Sequence, residues 1–158
     1  WKYDVLEAGY KCNMTDIQAA IGLIELGRYQ ENMDRRATIF GLYYNGFKDC
    51  SWAMLPIEKD EDRSTCYHLF QLCIEGITEE QRDAIIHEIL EKDVAVNVQF
   101  LPLPLFSAYK NDFDINNYPT AYTKYACEIS LPVYFQLTDE QVLYIIDAVK
   151  FAYHKVMV

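Results

Sequence analysis

Apolar positions recur at helical spacing early in the chain, where Ile17, Ala20, Ile21 and Ile24 fall on one stripe. Thr15 and Gln18 stand just ahead of it at the spacing of a capping box, so a helix is predicted to open there. Helical character continues to Phe47 with a kink predicted near Gly27, and Arg28, Arg35 and Arg36 interrupt the stripe as residues facing solvent or a partner. Residues 1–12 carry little periodicity and read as an extended lead-in. Beyond a loop at Leu55-Pro56 and an acidic run from Glu58 to Asp62, Tyr67 to Ile74 reads as a buried strand. A second capping box, Thr78 with Gln81, predicts a helix whose inward face is Ile85, Ile86, Ile89 and Leu90. Val94 to Phe100 alternates, with Val94, Val96, Val98 and Phe100 on one face, and predicts a strand ended by Pro102 and Pro104. Residues 105–117 read as a loop with a short turn, Tyr118 to Glu128 as a short helix and Ile129 to Leu131 as a brief strand. Thr138 with Gln141 opens the last helix, with Val142, Ile145, Ile146, Val149 and Tyr153 inward. The predicted fold class is α/β in the α+β sense: a small sheet with helices packed on it, preceded by long helices.

Composition narrows the class. A length of 158 residues, 51% apolar and 24% charged, suits one globular domain with a core that needs no staples. Fourteen basic residues against twenty-four acidic ones leave a net charge of −10, which repels nucleic acid and anionic lipid. Neither is expected as a partner, and no apolar run approaches the ~20 residues a membrane helix needs. The five cysteines, Cys12, Cys50, Cys66, Cys73 and Cys127, form no C-x-x-C pair and no metal-ligand spacing. They read as buried, reduced thiols of a cytoplasmic protein.

Candidate chemistry is sparse. The phosphate-binding, nucleophile-elbow and zinc-helix motifs are all missing from the sequence. His87 and His154 fall on helix faces expected to be exposed. His68 stands two residues from Cys66, so a thiol–imidazole pair can be drawn on one strand face. No third group orients it, and a packed structural histidine is the expectation. The acidic pairs Glu79-Glu80 and Asp139-Glu140 sit in first helical turns, where they complement the helix dipole. The polar helix start Asn13-Met14-Thr15-Asp16, preceded by Gly9-Tyr10-Lys11, stands out: unpaired N–H groups, the Asn13 amide and the Lys11 charge suit a phosphate or carboxylate. Simple capping by Asn13 or Thr15 explains the same residues. No complete active site, no catalytic residue and no metal site follow from the residue chemistry.

The stretch from Trp1 to Leu23, with Gly9-Tyr10-Lys11-Cys12-Asn13-Met14 at its centre, closely resembles a hallmark of the DegT/DnrJ/EryC1/StrS family of aminotransferases. The resemblance continues through Tyr67-His68-Leu69-Phe70, the Val96 to Leu103 segment, and Glu128 to Tyr134 with Leu137 to Gln141. It implies a pyridoxal-phosphate-dependent enzyme of fold type I that passes an amino group, commonly from glutamate, to a nucleotide-linked keto-sugar in polysaccharide or glycan precursor biosynthesis. It implies a cytoplasmic homodimer, with the nucleotide sugar and the amino donor as its small-molecule partners. None of the nine lysines lies in the family's Ser-x-x-x-Lys context. The chain therefore resembles the C-terminal portion, with residues 1–50 as the lead-in and long interdomain or interface helices, and 51–158 as the C-terminal small domain. The lysine-bearing N-terminal domain is expected to be absent, Trp1 to follow a cut, and this portion alone to be inactive and not to hold the cofactor.

The same resemblance places Asn13 on the cofactor phosphate of the neighbouring subunit, with Lys11 beside it. Cys12 stands where the family usually has Tyr. The segment from Asn97 to Pro104 matches one near the sugar site that often carries histidines. Gln99 and Pro104 stand in those places, which makes Gln99 and Asn97 the candidate substrate contacts. A non-catalytic interaction or regulatory module of the same ancestry is the alternative reading.

Overall fold

A computed structural model describes residue 10 and residues 12–158; the extended lead-in expected for residues 1–12 lies, apart from Tyr10 and Cys12, outside the described residues. The predicted long helix is two helices, α1 (Asp16–Gly27) and α2 (Tyr29–Phe47). The break falls at Arg28, where the cap N–H turns back to the Glu25 and Leu26 carbonyls. Then follow β1 (Ala53–Met54), β2 (Phe70–Ile74), α3 (Glu79–Leu90), α4 (Pro119–Cys127), β3 (Glu128–Leu131) and α5 (Asp139–Met157). Short 3₁₀ turns at Leu103–Leu105 and Ile115–Asn117 punctuate the connection ahead of α4.

The sheet runs β1-β2-β3 with both pairings antiparallel; Phe70 sits opposite Leu131, and Cys73 opposite Glu128. Period-2 alternation puts Phe70, Leu72 and Ile74 on one face of β2, where all three are fully buried. Against them pack Ile39, Phe40, Tyr43 and Phe47 from α2, Ile85 and Ile89 from α3, and Val142, Ile145 and Val149 from α5. Removing each large side chain from water contributes roughly 1.5–3 kcal/mol, so this seam holds the unit together. Phe40 and Tyr43 set their rings 4.9 and 5.0 Å from Phe70. All three predicted capping boxes form, at Thr15, Thr78 and Thr138. Three core positions differ from the sequence pattern: Leu90 ends α3 exposed, Ile86 is half-buried, and Tyr153 is half-buried with its ring stacked on Trp52 at 4.2 Å.

Two predicted strands are corrected. The strand of Tyr67 to Ile74 begins only at Phe70, because Tyr67 adopts a left-handed φ of 53° and gives its N–H to the Thr65 hydroxyl. Val94 to Phe100 forms no strand. The Asn97 side chain takes the Val98 N–H and the Glu128 carboxylate takes that of Gln99, so donors a ladder needs go to side chains. One bridge, Asn97 with Ser130, is all that pairs.

α1 is the exception to the packing. It buries none of its residues, although Ile17, Ile21, Leu23, Ile24 and Leu26 are distributed around it. No described helix is long and apolar enough to cross a membrane.

Candidate functional site

The helix start singled out above has a defined geometry. Thr15 is the N-cap: its hydroxyl accepts the Gln18 N–H at 3.3 Å, and the Gln18 side chain accepts the Thr15 N–H at 2.9 Å. Asn13 is therefore not the cap. It stands two residues ahead, exposed, with no hydrogen bond to any described residue. Asp16 in the first turn opposes an anion, so among the described residues the helix start offers a neutral donor beside a positive helix end rather than a phosphate cradle. That fits a single contact to a cofactor phosphate whose remaining partners come from elsewhere. Lys11 lies outside the described residues.

Asn97 and Gln99 are brought onto one segment beside β3. Asn97 exchanges two main-chain hydrogen bonds with Ser130, at 3.2 and 2.7 Å. Gln99 donates its N–H to Glu128 Oε2 at 2.7 Å. Asn97 is exposed and Gln99 half-buried. A cavity of about 430 Å³ opens near the start of this segment, walled by Lys92, Val94, Tyr134, Gln141 and Tyr144; neither Asn97 nor Gln99 lines it.

The thiol–imidazole pair is not assembled. Cys66 and His68 are both exposed in the coil ahead of β2, the left-handed Tyr67 stands between them, and no hydrogen bond joins them. The expectation of a packed His68 fails for the same reason: it precedes the strand instead of lying in it. His87 and His154 are exposed. The cysteines are all free, but Cys12 and Cys66 are exposed and Cys50 only half-buried, so the expectation of buried thiols holds for Cys73 and Cys127 alone. These two lie side by side with Lys124. Interaction with the Cys73 thiol draws the Cys127 thiol down to about 7, and the same interaction with burial pushes Cys73 up. Among the described residues no group of three or more His, Cys, Asp or Glu could hold a metal ion.

Two buried charges were missed by the sequence reading. Arg82, 1% exposed, donates to the main-chain oxygens of Tyr125 (2.8 Å) and Glu128 (3.4 Å), pairs with Asp83 at 2.7 Å, and lies 4.8 Å from the Tyr125 ring centre. Its position, three and seven residues before Ile85 and Ile89, was the available signal. Glu128, 3% exposed, also accepts the Ser130 hydroxyl at 2.5 Å. Burial raises its carboxyl above the ordinary glutamate value, against the pull of the Ser130 and Gln99 bonds. A charge inside the apolar run before Leu131 was its signal.

A three-stranded sheet flanked by helices, with a polar helix start and no complete reaction centre among the described residues, has the fold of about two-fifths of a sugar aminotransferase. The chain belongs to the DegT/DnrJ/EryC1/StrS aminotransferase family, whose model matches residues 1–150. It is 31% identical to the spore coat polysaccharide biosynthesis protein SpsC of Bacillus subtilis, over 95% of this chain and 39% of SpsC. It is 23% identical to the UDP-4-amino-4,6-dideoxy-N-acetyl-beta-L-altrosamine transaminase of Campylobacter jejuni, over 93% of this chain and 39% of that enzyme. Among solved structures it superposes on the sugar aminotransferase candidate Spr1654 of Streptococcus pneumoniae, in its PLP form, with a TM-score of 0.88 and 42% identity, over 100% of this chain and 40% of that one. The chain thus spans about two-fifths of the length of the relatives it matches.

Proposed function

We propose that this chain is the C-terminal portion of a pyridoxal-phosphate-dependent aminotransferase that transfers an amino group, commonly from glutamate, to a nucleotide-linked keto-sugar used in polysaccharide or glycan precursor synthesis. The observation that carries the reading is the family match over residues 1–150, joined to 42% identity with a protein solved in a PLP form. The enzyme works as a cytoplasmic homodimer. Residues 51–158 form its small domain, and residues 1–50 supply the helices that join this unit to the rest of the enzyme. When bound, pyridoxal phosphate supplies the electron sink for the transfer.

This chain's residues bind and orient. Asn13 donates its amide to the cofactor phosphate of the neighbouring subunit, where the positive end of α1 favours an anion. Lys11 adds charge beside it. Asn97 and Gln99 present polar groups to the sugar from a segment fixed on β3. The proton-shuttling lysine is supplied by sequence outside these 158 residues, so the unit alone does not turn over.

The test compares the complete aminotransferase with the 158-residue chain, each given pyridoxal phosphate, L-glutamate and a panel of nucleotide-linked keto-sugars. The complete protein is expected to show bound-cofactor absorption and amino transfer, and the 158-residue chain neither. Turnover by the short chain alone, or a complete protein that fails to take up the cofactor, overturns the reading.

A further inference from the structure

β3 is buried at every position, yet one of its four residues is a carboxylate. Burying a charge is costly unless it is paired or hydrogen-bonded, and an apolar side chain would have filled the same space. Among the described residues no cation pairs directly with the Glu128 carboxylate: the nearby Arg82 guanidinium acts on it through its charge and spends its donors on main-chain oxygens, Asp83 and Glu79. The carboxylate instead accepts from two neutral donors, the Ser130 hydroxyl at 2.5 Å and the Gln99 N–H at 2.7 Å. Glu128 and Ser130 share one side of β3, because strand side chains alternate. Their partner segment has no ladder of its own and touches β3 through the single Asn97–Ser130 bridge. Beyond that bridge, the Glu128 carboxylate is the next tether before Phe100, which is 71% exposed.

We propose that Glu128 is a positioning residue: by accepting the Gln99 N–H and the Ser130 hydroxyl, its buried carboxylate fixes the Asn97–Phe100 segment against β3 in the conformation that presents Asn97 and Gln99 to substrate. The substrate half of this statement rests on the proposed function; the tether itself does not. Ser130 serves the tether twice, through its main chain to Asn97 and through its hydroxyl to Glu128. A protonated Glu128 is a weaker acceptor, so the segment loosens as pH falls through the raised value of this carboxyl. The titratable and charged groups facing it are Arg82 from α3, Cys73 from β2 and Cys127 from α4.

The test follows the Gln99 amide resonance and the Glu128 carboxyl carbon of the isotopically labelled chain through acid pH. Both are expected to move with one midpoint, above that of an ordinary glutamate. Glu128→Gln is expected to abolish that movement and to speed amide exchange at Gln99 at least tenfold, leaving Phe70–Ile74 unchanged. A merely structural glutamate would leave Gln99 unlinked to the titration, or speed exchange across β2 equally; either result overturns the tether. Should Glu128→Gln fail to fold, the wild-type titration alone decides. Substrate presentation is read separately, from the KM for nucleotide sugar of Gln99→Ala in the complete aminotransferase. A rise of tenfold or more supports it; an unchanged KM removes the substrate role and leaves the tether standing.

Discussion

Asn13 shows how far a single residue could be read from the sequence. The helix-start pattern raised two roles for it, cap or ligand donor, that spacing alone could not separate. The capping box formed by Thr15 and Gln18 satisfies the helix start without it, and no described residue bonds its amide. Replacing an exposed residue free of such contacts costs little stability, within about 0.5 kcal/mol. A hydrogen bond to a charged group contributes roughly 1.5–3 kcal/mol, a factor of about 10 to 100 in affinity. Asn13→Ala in the complete aminotransferase should therefore weaken pyridoxal phosphate by that factor in a cofactor titration, with the melting temperature of the apo protein unchanged. Unaltered cofactor affinity would remove Asn13 from the phosphate site. Arg82 and Glu128 were hard to read for the opposite reason. Hydrophobic patterning assigns charged residues to the surface, and only the tertiary arrangement shows that main-chain oxygens and a main-chain N–H take up these two.

At the scale of elements, legibility followed how locally each element is determined. The helices were readable because a cap and a 3.6-residue stripe lie within a dozen residues of one another, and all three capping boxes form as spaced. Strands were readable only in part: β2 and β3 form near where they were expected, but Val94 to Phe100 does not, since alternation marks which side chains face inward but not whether the backbone finds a partner. Val94 is buried and Val96 and Val98 half-buried, so the pattern reports burial there while the main chain bonds to side chains. Close helix contact is likewise beyond sequence pattern. A Cβ on Gly46 of α2 would lie 2.6 Å from Ile146 Cδ1 of α5 and 3.0 Å from both its γ carbons, whereas one on Gly41 would meet nothing within 4 Å. Alanine gains roughly 1 kcal/mol over glycine inside a helix, while overpacking a filled seam costs about 1–3 kcal/mol. Gly41→Ala should stabilise the chain by about 0.5–1 kcal/mol and Gly46→Ala should destabilise it by up to ~2 kcal/mol, measured as urea midpoints at constant slope. Equal shifts in the two variants would show that α5 yields freely at this contact.

For the molecule as a whole, α1 sets the question of what completes the structure. A helix apolar on more than one face belongs in an interior, yet Ile21 is 60% and Ile24 65% exposed, and no residue of α1 is buried. The chain spans about 39% of SpsC, so most of a relative's length lies outside the matched region. On the proposed reading, α1 is covered by the rest of the enzyme and its second subunit, and this is what carries Asn13 to the neighbouring cofactor. The double substitution Ile21→Glu and Ile24→Glu separates the unit's own stability from its assembly. Glutamate is at least as good a helix former as isoleucine, and both sites are exposed, so the 158-residue chain should unfold within about 1 kcal/mol of wild type. In the complete aminotransferase, the same two carboxylates would have to be buried without partners, at several kcal/mol each. Sedimentation should then show a monomer where the wild type is a dimer, and cofactor content should fall with it, because Asn13 no longer reaches across. A dimer that persists with full cofactor occupancy would place α1 on the outside of the enzyme and leave its apolar surface without a role in assembly.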